Sequence, residues 1–244
     1  MIFFLIALFC YVFMQLIETI SFGSRVAGKL VNRLALGTTL QHSFFSISRL
    51  FLPPLLLSLS FLIETKLSVH SFLLIAAVLT IVAFFASFFV LIKFNYFQLL
   101  FQNLFIKYET NTIPLAILKV ILSKKYESIQ IHMEAAPKIR TLSFKKIISS
   151  CFAYFFLSTS FLIAFSFAIL IPEYRMTMSQ LTTVFHGIGA IVLAMYIDPM
   201  ISRSVDVELK NSRWLENIYS IFIGRLFAYF LASITFLTVS IYLA

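Results

Sequence analysis

Charge is what this chain has least of. Asp, Glu, Lys and Arg make up 12% of its 244 residues, and 61% are apolar. Soluble domains carry about 25% charged residues, so a water-covered globule is excluded and a polytopic membrane protein is implied. Acids are scarcer than bases, 10 against 19, for a net charge of +9. In so apolar a chain that excess sets topology and meets anionic membrane lipid rather than nucleic acid. Cysteine is nearly absent: Cys10 and Cys151 lie in different apolar segments, which excludes a disulfide framework and a thiolate metal site. Lys and Arg are missing before Arg25. A secretory signal peptide needs a basic start and a small-residue cleavage site, so the apolar run from Ile2 to Ile17 is expected to be a retained first span. Enzyme signatures are missing too: no HExxH, GxSxG, P-loop, Cys/His cluster or Asp-rich metal motif is present. His42, His70, His132 and His186 are scattered. No metal or cofactor is expected, and no nucleotide would drive the protein.

The apolar runs define an all-α chain, a single integral membrane domain over 1–244. Six spans are predicted, at about 2–22, 34–63, 70–92, 147–171, 178–197 and 218–243. The second is too long: at ~1.5 Å per residue it reaches roughly 45 Å, against a hydrocarbon core of ~30 Å. Pro53-Pro54 is the place for a kink or break, because two backbone donors are lost there. Pro172 is expected to close the fourth span and Asp198-Pro199 the fifth. Of the 19 Lys and Arg, 15 fall in alternate loops, 2 (Lys66 and Arg175) in the others, and Arg49 and Arg225 inside spans. That asymmetry puts the basic loops in the cytoplasm and both termini outside.

The 93–146 loop carries two apolar stripes at helical spacing. Phe97, Leu100, Phe101, Leu104 and Phe105 form one; Ile113, Ile117, Leu118, Ile121 and Leu122 form the other, beside Lys119, Lys124 and Lys125. They predict short amphipathic helices on the inner leaflet. The alternative is a cytoplasmic hairpin packed on itself.

Polar residues inside spans are expensive, and they mark function by default. Glu18 and Arg225 are expected at a similar shallow depth in the inner half, Arg225 about 10 Å in. Arg49 and His186 are expected in the outer half. Ser179, Thr183, His186 and Ala190 form a polar stripe on the fifth span. Gly23, Ala27 and Gly28 are small enough to admit a neighbouring helix. Each charge has a structural alternative: a Glu18–Arg225 ion pair, a snorkelling Arg49, a carbonyl-bonded His186, a capping Asp198.

Three stretches resemble a known family. Glu18-Thr19-Ile20-Ser21-Phe22-Gly23-Ser24-Arg25-Val26-Ala27-Gly28 looks like the first motif of the Amj family, the alternate lipid II flippases of bacteria. Ser48-Arg49 with its following prolines resembles the second. Thr177 to Leu181, His186 to Ala190 and Asp198-Pro199 resemble the third. The resemblance implies movement of an undecaprenyl-pyrophosphate-linked peptidoglycan precursor from the inner to the outer leaflet. It makes Glu18, Arg25, Arg49, His186, Asp198 and Arg225 the candidate substrate-binding residues. Arg49 and Arg225 would hold phosphate oxygens, and Arg25 with Lys29 would collect the headgroup at the cytoplasmic mouth. Competing readings are a membrane enzyme acting on polyprenyl phosphates, with its residues clustered at one interface, and a non-catalytic assembly factor.

Overall fold

The computed structural model describes residues 2–65, 67–122, 137–207 and 213–244. Lys66, Lys124, Lys125, His132 and Lys210 lie outside these. Among the described residues there are helices and no strands, and six helical segments are long and apolar enough to cross a membrane, as expected.

Helix α1 (Ile2–Leu30) outruns its expected end at residue 22. No residue between Phe22 and Leu30 stops it: Ser21 and Ser24 donate to the carbonyls of Glu18 and Ser21, and so satisfy their hydroxyls within the helix. Arg25 and Lys29 are therefore helical, not part of a turn. The turn falls at Asn32, whose φ of 56° is one that Asn tolerates. Gly28 serves packing instead: a Cβ there would lie 2.8 Å from the Gly37 Cα of the next helix.

The second span comprises α2 (Leu34–Ser48), a 3-10 turn (Arg49–Phe51) and α3 (Leu52–Glu64). Pro53 and Pro54 occupy the first turn of α3, where a missing N–H has no intrahelical partner to lose. The proline pair therefore tightens the helix at Arg49 and does not break it. Helix α4 (Val69–Ile92) is the third span, and its N-cap Ser68 side chain accepts from the Ser71 N–H.

Two helices follow, α5 (Phe94–Tyr108) and α6 (Ile113–Leu122). The aromatic stripe of α5 faces protein: Phe101, Leu104 and Phe105 are buried, with Phe101 against Gly23 and edge-on to Phe44. Helix α6 buries Ala116 and Val120 but exposes Leu115, Leu118, Ile121 and Leu122.

The fourth span, α7 (Phe144–Leu170), stops before Pro172, as expected. The fifth corrects the expectation at Asp198-Pro199. Helix α8 (Arg175–Val192) passes through a π turn (Leu193–Ile197) into α9 (Asp198–Val207). Pro199 lies in the first turn of α9, where it is harmless, so Asp198 begins a helix rather than ending one. Helix α10 (Arg213–Tyr242) is the last span.

Helix α1 is the axis of one half, packed by α2, α3, α4 and α5. Helix α7 lies between α8 and α10, and α10 joins the halves along α4. Gly189 lets α8 close on α7: a Cβ there would fall 2.6 Å from the Ala153 carbonyl oxygen. Helices α1 and α2 run antiparallel, as do α4 and α10, with Phe3 stacked on Phe61 and Phe84 against Phe230. One end of the bundle therefore holds the turn at Asn32 and the α5–α6 hairpin; it is called the basic end below.

Candidate functional site

The core of the site is a guanidinium sealed inside the bundle. Arg225 is 1% exposed. Its Nη2 donates to Glu18 Oε2 at 2.8 Å and to Gln15 Oε1 at 3.0 Å, and its Nε donates to the Tyr229 hydroxyl at 2.5 Å. Tyr229 in turn donates to Gln15 Oε1 at 2.7 Å, closing a ring of bonds, and the face of Tyr154 lies 4.6 Å from the guanidinium carbon. A buried charge survives only when paired and hydrogen-bonded in this way. Helical spacing supplies the partners: Gln15 is one turn before Glu18, and Tyr229 one turn after Arg225.

Glu18 reaches the other way too, accepting from Ser48 Oγ at 3.1 Å. Arg49 follows Ser48. Its Nη1 meets His186 Nε2 at 3.3 Å, and its guanidinium carbon lies 4.9 Å from the Phe45 ring. A guanidinium always donates, so His186 accepts through Nε2 as a neutral ring. These groups share one level, which revises the expected depths. Glu18 and Arg225 each lie twelve residues, about 18 Å, from their helix ends at Leu30 and Arg213. Glu18, Arg49, His186 and Arg225 thus form a single layer, where a difference in depth was expected.

A second layer lies two turns nearer the basic end. Arg25 Nη2 donates to Asp198 Oδ1 at 2.8 Å, tying the first span to the fifth. Arg25 is 5% exposed, and its Nε and Nη1 have no acceptor among the described residues. It is not a free cation at a mouth, and Lys29 lies 4.7 Å from the Trp214 ring centroid.

A cavity opens beside the central layer. Gln15, Glu18, Arg49, Ser160, Thr182 and His186 supply its polar wall, with Met14, Phe45, Leu52, Leu157 and Phe161 between them; it measures about 30 Å³. Ser160 Oγ is buried there without a partner among the described residues. Arg225 stands behind Glu18 and is not among the lining residues. From the predicted stripe, Ser179 and His186 face inward, but Thr182 replaces the exposed Thr183 in the wall. Gln15, Thr182 and Tyr229 escaped sequence reading because hydroxyls and amides inside spans usually bond their own helix.

Six apolar spans around a sealed charge layer, with a polar cavity beside it, define a polytopic helical membrane protein with an intramembrane polar site. The family model Amj, Alternate to MurJ, matches residues 10–244, and the chain belongs to that family. The name implies an alternate to the lipid II flippase of peptidoglycan synthesis, a transporter rather than an enzyme. Comparison with curated proteins and with solved structures returns no match. The three stretches that resemble the family meet in the two layers: Arg25 of the first holds Asp198 of the third, and Arg49 of the second holds His186 of the third.

Proposed function

We propose that this protein carries lipid II, an undecaprenyl-pyrophosphate-linked glycan, from the inner to the outer leaflet of the bacterial cytoplasmic membrane. The observation that carries the reading is the difference between two intramembrane arginines. Glu18 neutralises Arg225. Arg49, in the cavity wall, has a neutral imidazole and an aromatic face as partners. Its charge is uncompensated by an acid among the ion pairs of the described residues, so the cavity attracts an anion. A guanidinium binds phosphate oxygens bidentately, and an uncompensated one inside a membrane supplies what a pyrophosphate loses on leaving water. The basic end faces the cytoplasm and both termini face outward. Helix α6 rests its exposed leucine face on the anionic inner leaflet, with Lys119 at the headgroups.

The test is complementation of a strain lacking its other lipid II flippase, with protein level read by immunoblot. Arg49→Ala is expected to abolish rescue at normal abundance. Arg49→Lys is expected to lose most of it, because lysine keeps the charge but not the planar fork. Full rescue by Arg49→Ala would return Arg49 to an interfacial role, and loss of the protein would make it a structural partner.

A further inference from the structure

Spans two and five each pack mainly on a different helix. Helices α2 and α3 pack along α1, while α8 packs along α7. The two spans meet through side chains, at Arg49–His186. Each carries polar groups, and on span two their line is longer than the central cavity.

On α2, Thr39, His42 and Ser46 are exposed, and Arg49 follows in the same line. Their spacing of three, four and three residues keeps them on one face. Thr39 and Ser46 donate to the Ala35 and His42 carbonyls, so they tolerate lipid. His42 does not: its exposed ring has no hydrogen-bond partner among the described residues, and hydrocarbon offers none. On α8, Thr182 and His186 line the central cavity, and Gly187 has nothing within 4 Å of its Cβ position. One turn beyond Thr182, Ser179 lines a second pocket of about 160 Å³ with Ser60, Glu64 and Arg175. From Thr39 to Glu64 the line covers roughly 37 Å at ~1.5 Å per residue, enough to cross a hydrocarbon core of ~30 Å.

We infer that the polar faces of α2–α3 and α8 form one hydrated groove, open sideways to the bilayer, with the Arg49–His186 contact as its constriction. The phosphate-bearing head of a lipid travels along it while the hydrocarbon tail stays in the membrane. Arg49 exchanges His186 for a phosphate oxygen as the head passes. This rests on the flippase reading for its cargo, and on the geometry for its route.

Single cysteines in a background lacking Cys10 and Cys151, checked for complementation, test it. Positions 39, 42 and 46 on α2 are compared with Phe85 and Phe88, exposed apolar residues of α4. A charged methanethiosulfonate reacts with the thiolate, which hydrocarbon suppresses, so His42→Cys and Ser46→Cys are expected to react roughly tenfold or more faster than Phe85→Cys. A bulky charged reagent on Ser46→Cys is expected to stop lipid transport, and on Phe85→Cys to leave it intact. Labelling of positions 42 and 46 as slow as at 85 overturns the groove. Fast labelling with transport unaffected overturns it as the route. Labelling needs no transport, so the two readings fail separately: rescue by Arg49→Ala removes the cargo, and slow labelling removes the path.

Discussion

At the scale of single residues, the two intramembrane arginines have opposite sensitivities. Arg225 is held by Glu18, Gln15 and Tyr229 at 1% exposure. Removing one partner of such a pair leaves the other charge buried and unpaired, at a cost of about 3–5 kcal/mol. Glu18→Gln is therefore expected to lower the thermal midpoint of the purified protein sharply and reduce its abundance. Glu18→Gln combined with Arg225→Met removes both charges and is expected to recover most of that loss, the coupling being read from a double-mutant cycle. Additive losses would show that the pair does not hold the bundle together. Arg49→Ala, with no acid left behind, is expected to leave stability almost unchanged. The possibility of a Glu18–Arg225 pair was legible in the sequence, since two opposite charges in apolar helices need each other. Arg25–Asp198 was not: Arg25 read as lying beyond the first span, and Asp198 as a cap on the fifth.

At the scale of elements, glycines mark where helices touch and where they do not. Gly187 and Gly189 lie two residues apart on α8. A Cβ at Gly189 would fall 2.6 Å from the Ala153 carbonyl, whereas one at Gly187 meets nothing within 4 Å. Gly189→Ala is expected to cost about 1–3 kcal/mol by forcing α8 off α7. Gly187→Ala is expected to be neutral or to stabilise by up to about 1 kcal/mol, alanine being the better helix former. Equal thermal midpoints for the two variants would contradict the close approach. Prolines misled the reading of the same helices. Pro53-Pro54 was expected to kink or break its span and Pro199 to close one, yet each sits in a first helical turn, where its missing donor is harmless. The compensations are local: a 3-10 turn at Arg49–Phe51 and a π turn at Leu193–Ile197. Both turns abut site residues, Arg49 and Asp198. Periodicity does not show them, because each shifts the helical phase by a fraction of a turn.

At the scale of the whole molecule, the orientation proposed from the loop asymmetry can be tested directly. Cysteines introduced beside Arg175 are expected to react with an impermeant thiol reagent in intact cells. Those beside Lys107 and Arg203 are expected to react only after lysis. The reverse pattern would invert the protein and the direction assigned to transport. The hairpin of α5 and α6 belongs to this scale as well. Its aromatic stripe promised a surface for lipid, but Phe101 and Phe105 are buried by α1 and its neighbours, and α6 keeps the exposed apolar face.

By itself the sequence determined that this chain lives in a membrane, that it crosses six times, and that Glu18, Arg49 and Arg225 lie within the spans. Those properties follow from hydropathy, length and the cost of an ionised group in hydrocarbon, all of them local. It also carried the family resemblance, because the three motifs are contiguous. Only the tertiary structure decided that Arg225 pairs with Glu18 while Arg49, among the described residues, meets His186, and that Arg25 holds Asp198. A helix shows from its own residues which face is polar. What that face meets depends on helices far away in the chain, and contacts such as Gly28 on Gly37 and Gly189 on Ala153 set where those helices lie.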